Sequence, residues 1–153
     1  SLGADTITGG LGADAIVPGG GIDTVILTEG VASADTVLLS VATIDRDNIT
    51  GFTTTSDKLI VTIATFDGAV TGTPFATIGA GATAGAEFST VANVAALATS
   101  GTVAGATDAT GLIHIQSTGD IYLNTDGNVA GGLILIGNIG AASTLAATDF
   151  TLA

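Results

Sequence analysis

The sequence predicts an all-β fold built from very short, stacked strands. Three observations carry that prediction. First, Gly9-Gly10-Leu11-Gly12-Ala13-Asp14-Ala15-Ile16-Val17 is a full copy of the nonapeptide G-G-x-G-x-D-x-U-x, where U is a large apolar residue. Second, the flanking residues keep the same register, with Gly3, Asp5 and Ile7 before it and Gly19, Gly21, Asp23 and Val25 after it. Aspartate and the apolar residue therefore both recur every nine residues. Third, the 153-residue chain has 23 Gly, 4% aromatics and no Cys, Met or Trp, so it cannot pack a dense aromatic core. Such a chain suits repetitive β structure, where the backbone ladder supplies much of the order.

Each copy divides into a glycine-rich turn and a strand of three residues. The glycines permit positive φ and let backbone carbonyls approach a bound ion closely. The aspartate adds a formal charge at the end of the turn. Calcium takes roughly six to eight oxygens, and carbonyls plus carboxylates are the matching set. So short a strand cannot stand alone. It must stack on its neighbours at about 4.8 Å, with one inward side chain joining a shared apolar file.

The repeated motif resembles the RTX repeats of proteins exported by bacterial type I secretion. The resemblance implies that two nonapeptides form one coil of a right-handed parallel β-roll with Ca2+ held in its turns. Carried onto this chain, the metal-binding residues are Gly3, Asp5, Gly10, Gly12, Asp14, Gly19, Gly21 and Asp23. Asp5 and Asp23 would share a site on one edge. Asp14 would face the other edge, its partner turn lying upstream of Ser1 or in the imperfect turn after Leu27. The alternative, a run of ordinary Gly/Asp-rich turns, does not account for the shared phase of glycine, aspartate and apolar residue. Two positions depart from the pattern. Ser1-Leu2 replaces the first glycine pair, as in a chain cut inside a longer array. Pro18 takes the first glycine position of the third copy. It removes an N–H donor but keeps a carbonyl, so a calcium turn is expected to survive it.

Charge supports the same chemistry. Asp and Glu number 14 against 2 Lys and Arg, for a net charge of −12. That balance excludes a nucleic-acid partner and disfavours an anionic membrane surface. It also makes the compact state self-repelling unless cations intervene. Without Cys there is no disulfide frame, and a single His leaves no usual zinc ligand set. No apolar run reaches transmembrane length and the N-terminus does not read as a signal peptide. Export information is therefore expected elsewhere, and a C-terminal signal is what the RTX resemblance implies.

The chain divides into a roll over residues 1–40 and a roll-capping, β-rich C-terminal secretion module over 41–153. Thr28-Glu29-Gly30 breaks the period. Asp35-Thr36-Val37-Leu38-Leu39 restarts a strand without the glycines, with Val37 or Leu39 inward. Glu29, Asp35 or both could complete Asp14's edge; solvated turn carboxylates are the alternative. Asp45-Arg46-Asp47-Asn48-Ile49-Thr50-Gly51-Phe52 and Ser56-Asp57-Lys58-Leu59-Ile60-Val61 resemble the segment that closes the roll in RTX proteins. There Ile49 and Phe52 are expected to plug the apolar file, and Arg46 and Lys58 to pair with Asp45, Asp47 or Asp57. Leu59 opens a strand running to Ala64.

Residues 67–87 read as loop with one short strand near Phe75–Ile78. Residues 89–99 are the one candidate helix, capped by Ser89, with Val91, Val94, Ala95 and Ala98 on one face and Gly101 as its stop. From Gly111 the pattern is a β-meander: Leu112–Gln116, Ile121–Leu123 and Gly132–Ile136, separated by turn signals at Ser117–Asp120 and Asn124–Asn128. Ile113, Ile115, Ile121 and Leu123 are expected on the buried face, with His114 and Tyr122 opposite. The Asn124–Asn128 turn resembles half an EF-hand loop, but Asp126 is better explained as a plain hairpin turn. The Y-L-N-T-D-G-N stretch, the L-I-L-I-G strand and the A-x-D-F-T-L end resemble C-terminal modules of RTX exoproteins.

No nucleophile elbow, phosphate loop or dinucleotide fingerprint stands in the chain, and Gly19-Gly20-Gly21 precedes no helix. The expectation is a non-enzymatic calcium-binding protein. Its composition resembles that of the surface-layer proteins of Caulobacter-like bacteria, which implies calcium-dependent lattice self-association outside the cell. The rival expectations are the export and folding module of a secreted metalloprotease or lipase, and part of a large adhesin. Calcium ions, the type I secretion machinery and further copies of the chain are the expected partners.

Overall fold

The computed structural model describes residues 2–40, 46–61, 88–93, 112–124, 133–141 and 143–152. The fold is all-β. Its strands are β1 (Thr6–Thr8), β2 (Ala15–Ile16), β3 (Thr24–Ile26), β4 (Thr36–Leu39), β5 (Asp47–Thr50), β6 (Lys58–Val61), β7 (Phe88–Val91), β8 (Leu112–Ile115), β9 (Asp120–Asn124), β10 (Leu133–Asn138) and β11 (Phe150–Leu152). The helix among the described residues is one 3-10 turn, Ala147–Asp149.

Strands β1 to β6 alternate between two sheets, and β7 to β10 all join the larger one. The seven-stranded sheet has the order β1-β3-β5-β10-β9-β8-β7 and the four-stranded sheet β11-β6-β4-β2. β1, β3 and β5 run parallel, with Thr6 opposite Thr24 and Thr24 opposite Asn48. β2, β4 and β6 do the same, with Ala15 opposite Thr36 and Thr36 opposite Lys58. The coiling therefore carries on past residue 40, through strands that have lost the glycine pairs. β10 then adds parallel to β5 and β11 parallel to β6, so both sheets are extended from the chain's end.

The period-2 pattern explains which residues point inward. Ile7 and Ile16, then Val25, Val37, Leu39, Ile49, Leu59 and Val61, form the apolar file between the sheets, continued by Ile136 and Phe150. Val25, Val37, Leu39, Leu59 and Val61 are fully buried. Each contributes about 1.5–3 kcal/mol of hydrophobic stabilisation. Ile49 lies within this file rather than plugging it, while Phe52 packs half-buried against it. At the far end the rings of Phe88 (β7) and Phe150 (β11) pack tilted, with centroids 5.1 Å apart, joining the outermost strands of the two sheets.

Two expectations for the C-terminal half are corrected. Ser89 and Val91 belong to strand β7, which pairs parallel with β8, so they neither cap nor line a helix. Phe88 is buried and the segment runs Phe-Ser-Thr-Val, so sheet pairing overrides a weak helical pattern. Residues 94–99 lie outside the described residues, as do the strand at 75–78, the loop at 67–87 and the strand end at 62–64. The second correction concerns His114. β8 and β9 are antiparallel, as are β9 and β10, so the meander stands. Its register, however, sets His114 opposite Ile121 and Ile113 opposite Tyr122. His114 thus shares a face with Leu112, Ile121 and Leu123. All four residues of β8 are buried, so both faces of that strand are covered.

Candidate metal centre

The site is built from aspartates at or just before the start of strands β1 to β6. Asp5, Asp23 and Asp47 stack on one edge, and Asp14, Asp35 and Asp57 on the other. The backbone N–H groups of Asp5, Asp23, Asp14 and Asp35 each donate to the carboxylate one coil further on. Asp5 N–H meets Asp23 Oδ1 at 2.8 Å, across 18 residues. Asp23 N–H meets Asp47 Oδ1 at 3.0 Å, across 24. On the second edge, Asp14 N–H meets Asp35 Oδ1 at 2.9 Å and Asp35 N–H meets Asp57 Oδ1 at 3.1 Å, across 21 and 22 residues. The first coil is therefore two nonapeptides long, and later coils lengthen their turns while keeping the ladder.

The turns differ in how completely their carboxylates are satisfied. Asp57 Oδ2 accepts the Thr53 N–H at 2.7 Å, so both of its oxygens are held by backbone amides. Asp149 extends the same edge: Oδ1 accepts the Thr55 N–H and Oδ2 the Ala146 N–H, each at 2.9 Å. By contrast, Asp14 Oδ2 and Asp23 Oδ2 are buried and meet no donor. A buried carboxylate oxygen without a donor is costly and calls for a cation. Asp35, buried at 1% exposure, has its carboxyl pushed above the usual range. Desolvation is the main cause, partly offset by the Asp14 N–H, with the charges of Asp57, Glu29 and Asp14 adding to it.

The glycines behave as the turn chemistry requires. Gly10, Gly12, Gly19 and Gly21 all have positive φ. Gly21 is also a point of close approach: a Cβ there would stand 2.7 Å from the Gly3 carbonyl, and Gly3 N–H donates to Gly20 O at 2.8 Å. At Gly9 a Cβ would stand 3.0 Å from Asp14 Oδ2, so the carboxylate folds back over its own turn.

Both candidates for Asp14's edge are found there. Asp35 takes the Asp14 N–H, and Glu29 Oε2 accepts the Gly12 N–H at 3.0 Å and the Ser33 hydroxyl at 3.1 Å. A cavity of about 100 Å³ lies beside them, lined by Thr28, Glu29, Ser33, Thr53 and Asp57 among others. Among the described residues no three His, Cys, Asp or Glu side chains group into a metal cluster by themselves. A metal at these turns must draw on backbone carbonyls as well, which is what a glycine turn offers. The orphaned oxygens of Asp14 and Asp23 and the positive-φ glycines fit such an ion.

Several expectations are redistributed. The carboxylates of Asp47 and Asp57, expected beside Arg46 and Lys58, accept backbone amides. Asp45 and the Asp126 turn lie outside the described residues. Asp47 and Asp57 were not expected in the ladder, nor Asp149 as an acceptor beside its end. For the first two the signal was present as a shorter repeat, Asp-x-apolar, at Asp35-Thr36-Val37, Asp47-Asn48-Ile49 and Asp57-Lys58-Leu59. Comparisons with protein-family models, with curated proteins and with solved structures return no match for this chain.

Proposed function

We propose that this chain is a calcium-binding β-roll region of a bacterial protein exported by type I secretion. It folds outside the cell and has a structural rather than catalytic role, in the self-assembly of a surface lattice. The observation that carries the reading is the pair of buried oxygens without donors, Asp14 Oδ2 and Asp23 Oδ2, in turns that match the calcium nonapeptide. Asp5, Asp23, Gly3, Gly19 and Gly21 would hold an ion on one edge, and Asp14, Gly10, Gly12, Glu29 and Asp35 on the other. When bound, calcium supplies the counter-charge that a chain of net charge −12 lacks. The residues themselves do the rest: aspartate amides and carboxylates set the register of the coils, and the apolar file holds the sheets together. Acidic surfaces of one sign approach each other only with divalent ions between them, which links the same chemistry to assembly.

Calorimetric titration combined with light scattering tests this. Calcium should bind with Kd on the order of 10⁻⁴–10⁻³ M, the range of extracellular modules, and raise scattering where magnesium at equal ionic strength does not. Absence of calcium binding would end the reading. Binding to a strictly monomeric form would retain the calcium module and remove the lattice role, leaving the export module of a secreted enzyme.

A further inference from the structure

His114 is the single histidine of the chain and the calcium turns make no use of it. It lies on β8, fully buried, opposite Ile121 of β9 and Thr90 of β7. Its hydrogen bonding assigns its tautomer. The Ser143 hydroxyl donates to the Gly140 carbonyl at 2.6 Å. The Ser143 oxygen, 3.3 Å from His114 Nε2, is therefore left to accept, and Nε2 carries the proton. Nδ1 is a bare lone pair, buried and without a donor. A second proton could enter only there, as an N–H with no acceptor and a charge inside an apolar layer.

Among the described residues the surroundings offer little to hold that charge. β7 contributes Phe88, Ser89, Thr90 and Val91, none of them ionisable. The segment that brings Ser143 to the ring, residues 139–146, has no ionisable side chain either. β9 contributes Asp120 and Tyr122. Among the described residues the Asp120 carboxylate is the one charge that favours a protonated ring, but desolvation outweighs it and moves the imidazole below its ordinary value. Asp120 is moreover engaged elsewhere, accepting from the Thr118 hydroxyl at Oδ2 and from Asn138 Nδ2 at Oδ1. Tyr122 is pushed up by burial and stays neutral.

We propose that His114 is an acid-sensitive lock on the limb formed by β7, β8 and β9, releasing that limb from the sheet when the imidazole is protonated. The sign follows from linkage. Folding depresses the imidazole's affinity for protons, so the limb is fully stable above the unfolded value of about 6.5 and loses stability as pH falls toward the folded value. In that window the closed-to-open ratio falls about tenfold per pH unit.

Proton NMR of the full chain tests this directly, because its one imidazole needs no assignment among others. Between about pH 8 and pH 5 the ring signal should keep its neutral position until the amides of Leu112–Leu123 lose protection, and the two changes should coincide. In His114→Phe, which keeps an apolar ring of similar volume, limb protection should persist through the same range. Should that variant fail to fold, the wild-type titration still decides. A ring that titrates near 6.5 while the limb stays protected overturns the proposal. So does acid opening of the limb in folded His114→Phe to the same extent as in wild type.

Discussion

The backbone N–H of Asp5 donates to Asp23 Oδ1 at 2.8 Å, while Asp23 donates its own N–H to Asp47 at 3.0 Å. Asp23 therefore reads the coil before it with its side chain and the coil after it with its backbone. Its other oxygen, Oδ2, is buried without a donor. One residue thus sets register and holds an uncompensated charge. Substitution can separate the two roles.

Asp23→Asn keeps an amide oxygen to accept from Asp5 and removes the charge. The metal-free fold should be unchanged or slightly firmer, because the orphaned carboxylate oxygen is gone. Calcium affinity should fall by on the order of tenfold, since ligand charge tunes such sites. Asp126→Asn, at the position read as a plain hairpin turn, should leave affinity unchanged. Calorimetry on both variants checks this, and equal losses would remove Asp23 from the site.

Gly21→Ala should destabilise the first coil by more than 1 kcal/mol, in the range of about 1–3 kcal/mol. The new Cβ would meet the Gly3 carbonyl at 2.7 Å, in a backbone whose φ is +119°. Gly10→Ala has the same φ problem but open space around it, so it should cost less. Thermal unfolding of the two variants at saturating calcium ranks them. The reverse order would show that the Gly3–Gly21 approach can relax.

Much of the ladder was legible in the sequence because its signal is local. The spacing of Asp5, Asp14 and Asp23 gave the edges, and the structure brings Asp5 to Asp23 as that spacing requires. The continuation through Asp47 and Asp57 was harder to see. There the glycines are gone and the coils lengthen, so only the tripeptide Asp-x-apolar persists. The faces of β8 were not legible at all. Leu112-Ile113-His114-Ile115 carries no alternation, and the antiparallel register alone decides that His114 faces Ile121. Ser89 misled for a related reason: a Ser ahead of Val and Ala satisfies a helix start equally well, and only pairing with β8 selects the strand.

Thr55 holds φ at +74°, which is unfavourable for a β-branched residue, while its N–H is held by Asp149 from the far end of the chain. Thr55→Gly should therefore stabilise the protein by about 1 kcal/mol, the cost of a left-handed conformation. Asp149→Ala should destabilise it by about 1–3 kcal/mol, because it strips acceptors from the N–H groups of Thr55 and Ala146. Denaturant titration measures both. Equal stability of Thr55→Gly and wild type would mean the turn carries no strain.

The last prediction follows from the unequal satisfaction of the carboxylates. Asp57 and Asp149 each have both oxygens held by backbone N–H groups. Their turns need no ion to offset a buried charge. Asp14 and Asp23 each keep one buried oxygen without a donor, in turns whose strands are two and three residues long. Ordering the backbone costs roughly 1–2 kcal/mol per residue, and so short a strand gains little in return. Without calcium the first coil should therefore open, whereas β6 and β11 should hold, since they pack Leu59, Val61 and Phe150 into the file. Hydrogen exchange in chelator should show lost amide protection across residues 5–26 and retained protection at Leu59 and Ile60. Binding free energy then becomes folding free energy for the first coil alone. Retained protection at Thr24, Val25 and Ile26 in chelator would show that the apolar file alone orders this coil, and the orphaned oxygens would then not require an ion.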